Sequence, residues 1–532
     1  MTLMTTIRGY KQMNDEYYKM AHDVAEYLAN KQGENGSFPA KSSYGETFSI
    51  LLWSYFGSEF ENNIKNAMDY YKQKDKTDGQ FHWEFNNYAL YKYYLKTKNP
   101  KAYELVKDLD LKFRGTKVTN WTLLRAITRL LRNTFIDNLK ACFEIKECLL
   151  RQKGGFFLDD KQVRSFQYHC FSTALIGELF ELTGNTKYKN SFLDGVNFML
   201  YFIMPNGDTL YVGRGQEQIF GYGALLLILE YAHMLTGKSV YREKARQVLE
   251  YLHRFQRPDG SFPLVLRDDE VGYPEQIDTK DVRFLGWYAY NNYFDYLPFF
   301  GYYLIKAHEI HSSGVHATDA CDEESDNTHN TNTQYLKDFI MYASDKYKAV
   351  ISKPGGYWTN DMPFPYVCYN NESIFPCYGG EQFVDSIYSI EQIPLPFGKT
   401  PTRWLYFREM KYKLIKNRLI AKSKYLEYSR EFDFRKEAFD MHDEIKFKKN
   451  IDFEEFYPVN IYFFELKQIA DNRYETEYNG VKAEIIPSEP CVIESGEFYC
   501  ARGKLKSLRE RMLNVSFSKD DILKRKIRVI FM

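Results

Sequence analysis

Asn35-Gly-Ser-Phe-Pro39 is answered late in the helical half by Asp259-Gly-Ser-Phe-Pro263, and the same punctuation recurs between them. Asp78-Gly-Gln-Phe81, Gly154-Gly-Phe-Phe157 and Asn206-Gly-Asp-Thr-Leu210 are the intermediate copies. They stand roughly 40 to 75 residues apart, and the longest gap is broken by a polar helix start at Thr119-Asn-Trp-Thr-Leu-Leu-Arg125. Between them apolar residues recur at three and four, as in Leu123, Leu124, Ile127, Leu130, Leu131 and in Val248, Leu249, Leu252. An Asn/Asp-Gly turn closing on an aromatic, once per pair of helices, is what a ring of helical hairpins requires. Irregular connections on one side of such a ring then form a cleft.

Working outward, the period changes past a polar stretch. Residues 313–335 contain Asp319-Ala-Cys-Asp-Glu-Glu-Ser-Asp-Asn-Thr-His and lack periodicity, so they read as a linker or mobile loop. Beyond them short alternating or β-branched runs take over, among them Phe339-Ile-Met-Tyr342, Tyr347-Lys-Ala-Val-Ile-Ser352, Arg418-Leu-Ile-Ala421 and Ile527-Arg-Val-Ile-Phe531. The expected architecture is therefore an α domain followed by a β domain. An incomplete (α/α) toroid of helical hairpins spans 1–312, and an antiparallel β-sandwich spans 336–532.

Composition narrows the function. Lys plus Arg equal Asp plus Glu at 71 each, so no global charge draws the chain to nucleic acid or to an anionic surface. No nucleic-acid partner and no membrane insertion are expected, and with no apolar run of signal-peptide length the chain reads as cytoplasmic. Eight scattered cysteines without Cys-x-x-Cys spacing read as reduced core residues. His308-Glu-Ile-His311 is not an H-E-x-x-H motif, and no metal and no cofactor are expected. Tyr 45 and Phe 41 against Trp 6 suit a cleft that stacks on sugars and hydrogen-bonds them, and suit a large aromatic core equally well.

The chemistry-bearing loop is Asp208-Thr-Leu-Tyr-Val-Gly-Arg-Gly-Gln-Glu-Gln-Ile-Phe-Gly-Tyr-Gly223, which runs into the apolar helix beginning at Ala224. Its glycines are not a dinucleotide fingerprint, since the spacing differs and no strand leads in. Around the rim the other candidates are His82, Glu84, Asn86 and Asn87; Asn120 and Trp121; Gln167, Tyr168 and His169; and Trp287, Asn291, Asn292 and Tyr293. Trp83-Glu-Phe-Asn-Asn-Tyr88 and Trp287-Tyr-Ala-Tyr-Asn-Asn-Tyr293 echo one another. This inventory is rich in amides, arginine, tyrosine and histidine, and poor in the paired acids of a glycosidase.

β-Elimination from a uronic-acid polysaccharide needs such a set. Asn120 and Arg214 would neutralise the carboxyl group as negative charge develops beside C5, helped by Gln167, Gln216 and Gln218. A Tyr or His would take the C5 proton, and a Tyr would return it to the leaving O4. His169, Tyr168 and Tyr222 are the contenders. Other readings of the same residues are a uronate C5-epimerase of exopolysaccharide or capsule synthesis, an (α/α) barrel glycoside hydrolase using acids such as Glu84 or Glu217, and a non-catalytic glycan-binding protein.

The pattern resembles the polysaccharide lyases built as an (α/α) toroid followed by antiparallel sheets, the chondroitin AC, hyaluronan and heparinase II/III-like enzymes. Asn120-Trp121 resembles their carboxylate-holding Asn-Trp. Gly154-Gly-Phe-Phe157 leading to Gln167-Tyr-His169 resembles their glycine-aromatic loop and histidine, and Gly213-Arg-Gly-Gln216 their arginine loop. The resemblance implies an acidic polysaccharide or oligosaccharide, such as a glycosaminoglycan, as substrate. Those enzymes carry a tyrosine a few turns beyond the histidine, where this chain has Phe171 and Phe180 before Tyr188. The catalytic tyrosine would then be Tyr168, Tyr222 or one from elsewhere in the toroid.

Overall fold

The computed structural model describes residues 2–40, 42–76, 81–107, 118–160, 163–213, 215–266, 293–313, 332–354, 364–375, 396–500 and 502–532. Its contacts divide into two compact units. Met1–Ile203, Glu217–Ile277 and Tyr290–Asp322 belong to the first, and Met204–Gln216 and Glu323–Met532 to the second.

The first unit is a ring of helical hairpins. Its helices are α1 (Thr2–Lys31), α2 (Gly45–Trp53), α3 (Glu61–Gln73), α4 (Trp83–Thr97), α5 (Pro100–Lys107), α6 (Thr119–Arg132), α7 (Phe135–Leu149), α8 (Phe166–Thr183), α9 (Thr186–Leu200), α10 (Ile219–Thr236), α11 (Ser239–His253) and α12 (Tyr293–Ser312). The even-numbered helices pack in sequence, α2 on α4, α4 on α6, and so on to α12, which packs back on α2. Each odd-numbered helix backs an even one from outside, with α1 behind α12. The expected toroid is thus present, but where it was expected to be incomplete, α12 packs back on α2 and closes it, with six inner helices among the described residues.

Sequence composition sorts inner from outer. All nine residues of α2 are buried, and α10 and α12 are apolar around most of their circumference. The outer helices bury one stripe against the ring; in α11 it includes Tyr241, Ala245, Val248, Leu249 and Leu252. Helix α10 is long and apolar enough to cross a membrane, but here it is an inner helix of the ring.

The repeated punctuation is a repeated turn. At 33–37, 204–208 and 257–261 the first residue donates its N–H to the fifth carbonyl, at 2.8, 2.9 and 2.8 Å. The glycine N–H in turn reaches the first carbonyl in each. The Asn or Asp before the glycine accepts the fifth residue's N–H through its side chain. Gly36, Gly207 and Gly260 all have positive φ, at 87°, 90° and 81°. A Cβ on Gly36 would meet the carbonyl oxygen of Asn66 on α3 at 2.1 Å, and one on Gly260 would meet the Asp23 carbonyl on α1 at 2.8 Å. The turns at 33–37 and 257–261 each lead an inner helix in while their glycines lie against the next outer helix. Gly36→Ala is expected to destabilise the protein by about 3 kcal/mol, from left-handed backbone plus overpacking, read as a lower urea midpoint at unchanged slope.

Ring closure rests on Asp295 of α12. Its carboxylate accepts the backbone N–H groups of Ser43 and Tyr44 at 3.0 and 2.7 Å and the Ser42 hydroxyl at 3.1 Å, capping α2 from a neighbouring helix. Burial raises its pKa to about 6 against those donors.

The second unit is antiparallel β-structure, as expected. Its eight-stranded sheet runs in the order Lys411–Ile415, Arg418–Lys422, Leu426–Phe434, Ala438–Phe447, Ile522–Phe531, Val481–Pro487, Arg473–Tyr478, Glu465–Ala470. Smaller sheets of five, four and three strands accompany it. Phenylalanines fill the space between sheets: Phe447 stacks on Phe517 at 3.9 Å, and Phe531 contacts Tyr347 and Tyr369 at 4.4 and 4.8 Å. The first strand of this region begins at Asn332, while the expected linker at 313–335 falls mostly outside the described residues. Six cysteines are described and form no disulfide with one another, and all are buried except Cys142.

Candidate active site

The inner helices are parallel, and their N-terminal turns meet at one end of the ring. The contacts that show this are between first turns. Tyr44 before α2 stacks with His82 before α4 at 5.5 Å and with Phe85 at 4.4 Å, and it approaches Tyr296 of α12 at 6.4 Å. His82 and Phe85 meet Trp121 of α6 edge-on at 4.6 and 5.4 Å. Phe220 of α10 stacks on Tyr296 at 4.6 Å and touches Tyr168 of α8 at 5.5 Å. An aromatic rim therefore runs round the helix starts. His82 and Trp121 are half-buried in it, so each keeps part of its ring open.

Helix starts leave backbone N–H groups without intrahelical partners, and the residues before α2, α4, α6 and α10 do not cap their own helices through a side chain. Six helix dipoles with their positive ends at one rim favour an anion there. The polar side chains on the first turns are of two kinds.

One kind is spent on the fold. Asn86 donates to the carbonyls of Ser43 and His82, both at 2.9 Å, and accepts from the Thr47 hydroxyl. Glu84 binds Arg125 at 3.1 Å, and Arg125 continues to Glu144 at 2.8 Å, so this arginine is buried in an ion-pair chain rather than lying on a solvated face. The Tyr293 hydroxyl donates to the Phe262 carbonyl at 2.8 Å. The Tyr222 hydroxyl donates to Glu217 Oε2 at 2.7 Å, and Tyr222 is fully buried.

His169 belongs with these. It is 0% exposed; its Nδ1 accepts the Phe157 N–H at 2.9 Å and its Nε2 binds the Gly195 carbonyl at 3.0 Å. The imidazole is thus a neutral strut tying the Gly154–Gly155 hairpin and α9 to the start of α8. Burial lowers its pKa to about 4. With both nitrogens committed to backbone, it has no lone pair to offer a C5 proton.

The other kind is available. Asn120 is fully buried on the first turn of α6; its Nδ2 reaches Asp159 at 3.4 Å, and its Oδ1 has no hydrogen-bond partner. Asn87, on the second turn of neighbouring α4, is equally buried and has no partner at either amide atom. A buried amide left unpaired costs about 1–3 kcal/mol, which is tolerated at functional sites. Gln167 of α8 donates to Gln218 before α10 at 3.2 Å, joining two of the candidate substrate amides. Tyr168, one residue on, lies in the rim against Phe220.

Several candidates are not brought together here. Arg214, Trp287, Asn291 and Asn292 lie outside the described residues, which leaves the Asn-Asn-Tyr echo half described. Of that echo, Tyr88 is the sixth residue of α4 whereas Tyr293 is the first of α12. The loop from Asp208 is divided between the units. Gln216 belongs to the second, where its amide donates to the Tyr211 carbonyl. There too Asp208 accepts from the Tyr366 hydroxyl and from Ser373 at 2.7 Å, and Tyr211 stacks on Tyr366 at 4.0 Å. His311, weighed as a metal ligand, binds Glu230 at 3.0 Å. Tyr44, Phe85, Phe220 and Tyr296 were not singled out from sequence. They follow the preceding turn glycines Gly36, Gly79, Gly207 and Gly260 at unequal distances, so no local spacing marks them.

No protein-family model matches the chain, and no curated protein matches it. Among solved structures, the chondroitin AC lyase of Streptomyces coelicolor A3 in complex with chondroitin sulphate aligns over 98% of this chain and 83% of its own, at 10% identity and a TM-score of 0.51. A point mutant of that enzyme aligns over 98% and 82%, at 11% identity and a TM-score of 0.52. This chain has the polysaccharide-lyase fold. A heparinase III structure also covers 97% of this chain and 84% of its own at 13% identity, with a TM-score of 0.37. At these identities the likeness concerns the fold, an α ring followed by antiparallel sheets. What the rim of that fold does in this chain has to be argued from its own residues.

Proposed function

We propose that the chain is a lyase-like enzyme that cleaves a uronic-acid-containing acidic polysaccharide by removing the C5 proton and eliminating at C4. The observation that carries this reading is the pair of buried amides at a rim of helix N-termini, Asn87 on the second turn of α4 with neither amide atom bonded and Asn120 on the first turn of α6 with its Oδ1 unbonded. The Asn87 amide N–H groups, the second Nδ2–H of Asn120 and the helix-start dipoles would meet the charge that grows on a carboxyl group during proton abstraction, without reorganising when it appears. His82 and Trp121 offer apolar faces to a sugar ring beside them.

In this reading Tyr168 is the proton carrier. Its oxygen, as phenolate, takes the C5 hydrogen. The C5–H electron pair becomes the C4–C5 double bond, the C4–O4 bond breaks, and O4 leaves with the proton Tyr168 returns. The other rim tyrosines suit the task less. Burial, and then the charge of Asp295, hold the Tyr44 pKa well above its ordinary value. The Tyr222 hydroxyl is spent on Glu217 inside the core. Arg214 is proposed as a further partner of the substrate carboxylate, and Gln167 and Gln218 as its neighbours.

Asn120→Ala tests the carboxylate role. Its elimination rate on a uronate polymer is expected to fall about 10²–10³-fold, read as slower growth of absorbance from the conjugated unsaturated product. Because the Asn120 side chain makes one long contact only, the urea midpoint should stay within about 0.5 kcal/mol of the parent or rise. A variant that keeps full activity removes Asn120 from the site.

A further inference from the structure

Outer helix α7 carries an apolar face that its own ring does not cover. Asp137, Ala141, Ile145 and Cys148 turn inward, and α7 packs on α6. On the opposite side Ile136 is 62% exposed, Leu139 51%, Phe143 68% and Leu150 66%. Outer helices elsewhere in the ring present charged residues to solvent, so this strip is not a general feature of the hairpins. Exposed apolar side chains scattered singly mean little, but a contiguous row on one helix marks a contact surface.

The spacing says what kind of surface. Ile136, Leu139, Phe143, Lys146 and Leu150 follow one another at three, four, three and four, which is the a/d seam of a helix that pairs with another helix. The inward residues fall at b, c and f, so α7 holds its ring with one face and keeps a complete seam on the other. Beside the seam, Lys140 and Glu147 occupy e, and Cys142 and Leu149 occupy g.

We infer that two copies of this chain associate through α7, antiparallel about a twofold axis. A twofold contact requires a self-complementary surface, and one register pairs Leu139, Phe143, Lys146 and Leu150 among themselves, leaving Ile136 at the end of the seam. Leu139 meets Leu150 of the partner subunit and Phe143 meets Lys146 of the partner subunit, each reciprocally. Lys140 then faces Glu147 of the partner subunit, giving two ion pairs related by the axis. Lys140 has no ion-pair partner within its own chain among the described residues, whereas Glu147 also meets Arg151 at 2.8 Å. Cys142 faces Leu149 of the partner subunit on the other flank. The lysine in the middle layer lays its methylenes on Phe143 while its ammonium reaches solvent, and a polar residue at one core position selects register.

The test uses the full chain. Sedimentation equilibrium of the wild type is expected to show a concentration-dependent dimer, and Leu139→Glu is expected to abolish it while far-UV circular dichroism stays the same. Lys140→Glu should weaken the dimer, and adding Glu147→Lys should restore it. The register is read by Leu149→Cys: mild oxidation is expected to give a disulfide-linked dimer through Cys142. Cys142 and position 149 of one chain stand about 10 Å apart along the helix, too far to close on themselves. A wild type that stays monomeric across the accessible concentration range overturns the inference, because the seam would then belong to a different partner. A dimer insensitive to Leu139→Glu, or one that Leu149→Cys does not cross-link, overturns it as well.

Discussion

Tyr168→Phe is expected to abolish most of the proposed elimination, with kcat reduced about 10²–10⁴-fold and KM little changed. The change removes one oxygen and keeps the ring, so the contact with Phe220 at 5.5 Å survives and the helix start of α8 keeps its packing. A loss confined to kcat is what a group acting on the proton produces, since substrate binding is left to the amides and the aromatic rim. The matched control is Tyr222→Phe. It breaks the bond to Glu217 inside the core, so it should cost stability of about 1 kcal/mol and leave turnover largely intact. Kinetics of the two variants side by side decide between the tyrosines: full activity in Tyr168→Phe with loss in Tyr222→Phe would exchange their roles.

The second large effect concerns His169, and it is an effect on the fold. His169→Ala leaves the Phe157 N–H and the Gly195 carbonyl without their partner and opens a cavity at the start of α8. Together these should destabilise the protein by about 3–5 kcal/mol in a urea titration. Activity lost in this variant follows from unfolding and should return in part in His169→Asn, whose amide can replace one of the two bonds. A pH series checks the cause. The folded-state pKa is depressed to about 4 from an ordinary 6.5, so the unfolded chain binds the extra proton between these values. The contribution of His169 is complete above about pH 6.5 and is lost as pH falls towards 4. The stability gap between wild type and His169→Asn should therefore narrow by roughly 3 kcal/mol at most over that interval. A folded, inactive His169→Ala with an unchanged midpoint would make the histidine catalytic after all.

Much of the architecture was legible because the punctuation is obligatory. Gly36 and Gly260 sit where the backbone needs positive φ and where a Cβ would strike the next helix, so the glycine of the signature is fixed at the entries to α2 and α12. Closure of the ring was not legible. It depends on Asp295 reaching the N–H groups of Ser43 and Tyr44 across nearly half the chain, and nothing in a local window announces that bond. In the β region one hairpin signal was plain and went unused: Asn479-Gly480 joins the strands ending at Tyr478 and starting at Val481, with φ of 49° and 79° at the turn.

The site was legible by residue type and less so by role. Asn120 with Trp121, and Gln167 with Gln218, sit at the rim as the helix-start patterns suggest. His169 and Glu84 have the same outward credentials in sequence, yet are consumed by hydrogen bonds and an ion pair inside the fold. Whether a polar residue at a helix start faces a ligand or a neighbouring backbone is decided by long-range packing, for which periodicity carries no information. The aromatic rim illustrates the converse. Tyr44, Phe220 and Tyr296 look like ordinary core residues in a tyrosine-rich chain, and become a wall only when six helix starts are brought together.

The central claim, cleavage by elimination, is tested most directly by the mass of the oligosaccharides released when the wild-type protein acts on uronic-acid polymers in ¹⁸O-labelled water. Elimination gives new non-reducing ends one water lighter than hydrolysis would leave, with no ¹⁸O incorporated by the cleavage itself, and the light product should disappear in Tyr168→Phe. Products of full hydrolytic mass carrying the label, or exchange of the C5 hydrogen with solvent on an uncut chain, would contradict the account.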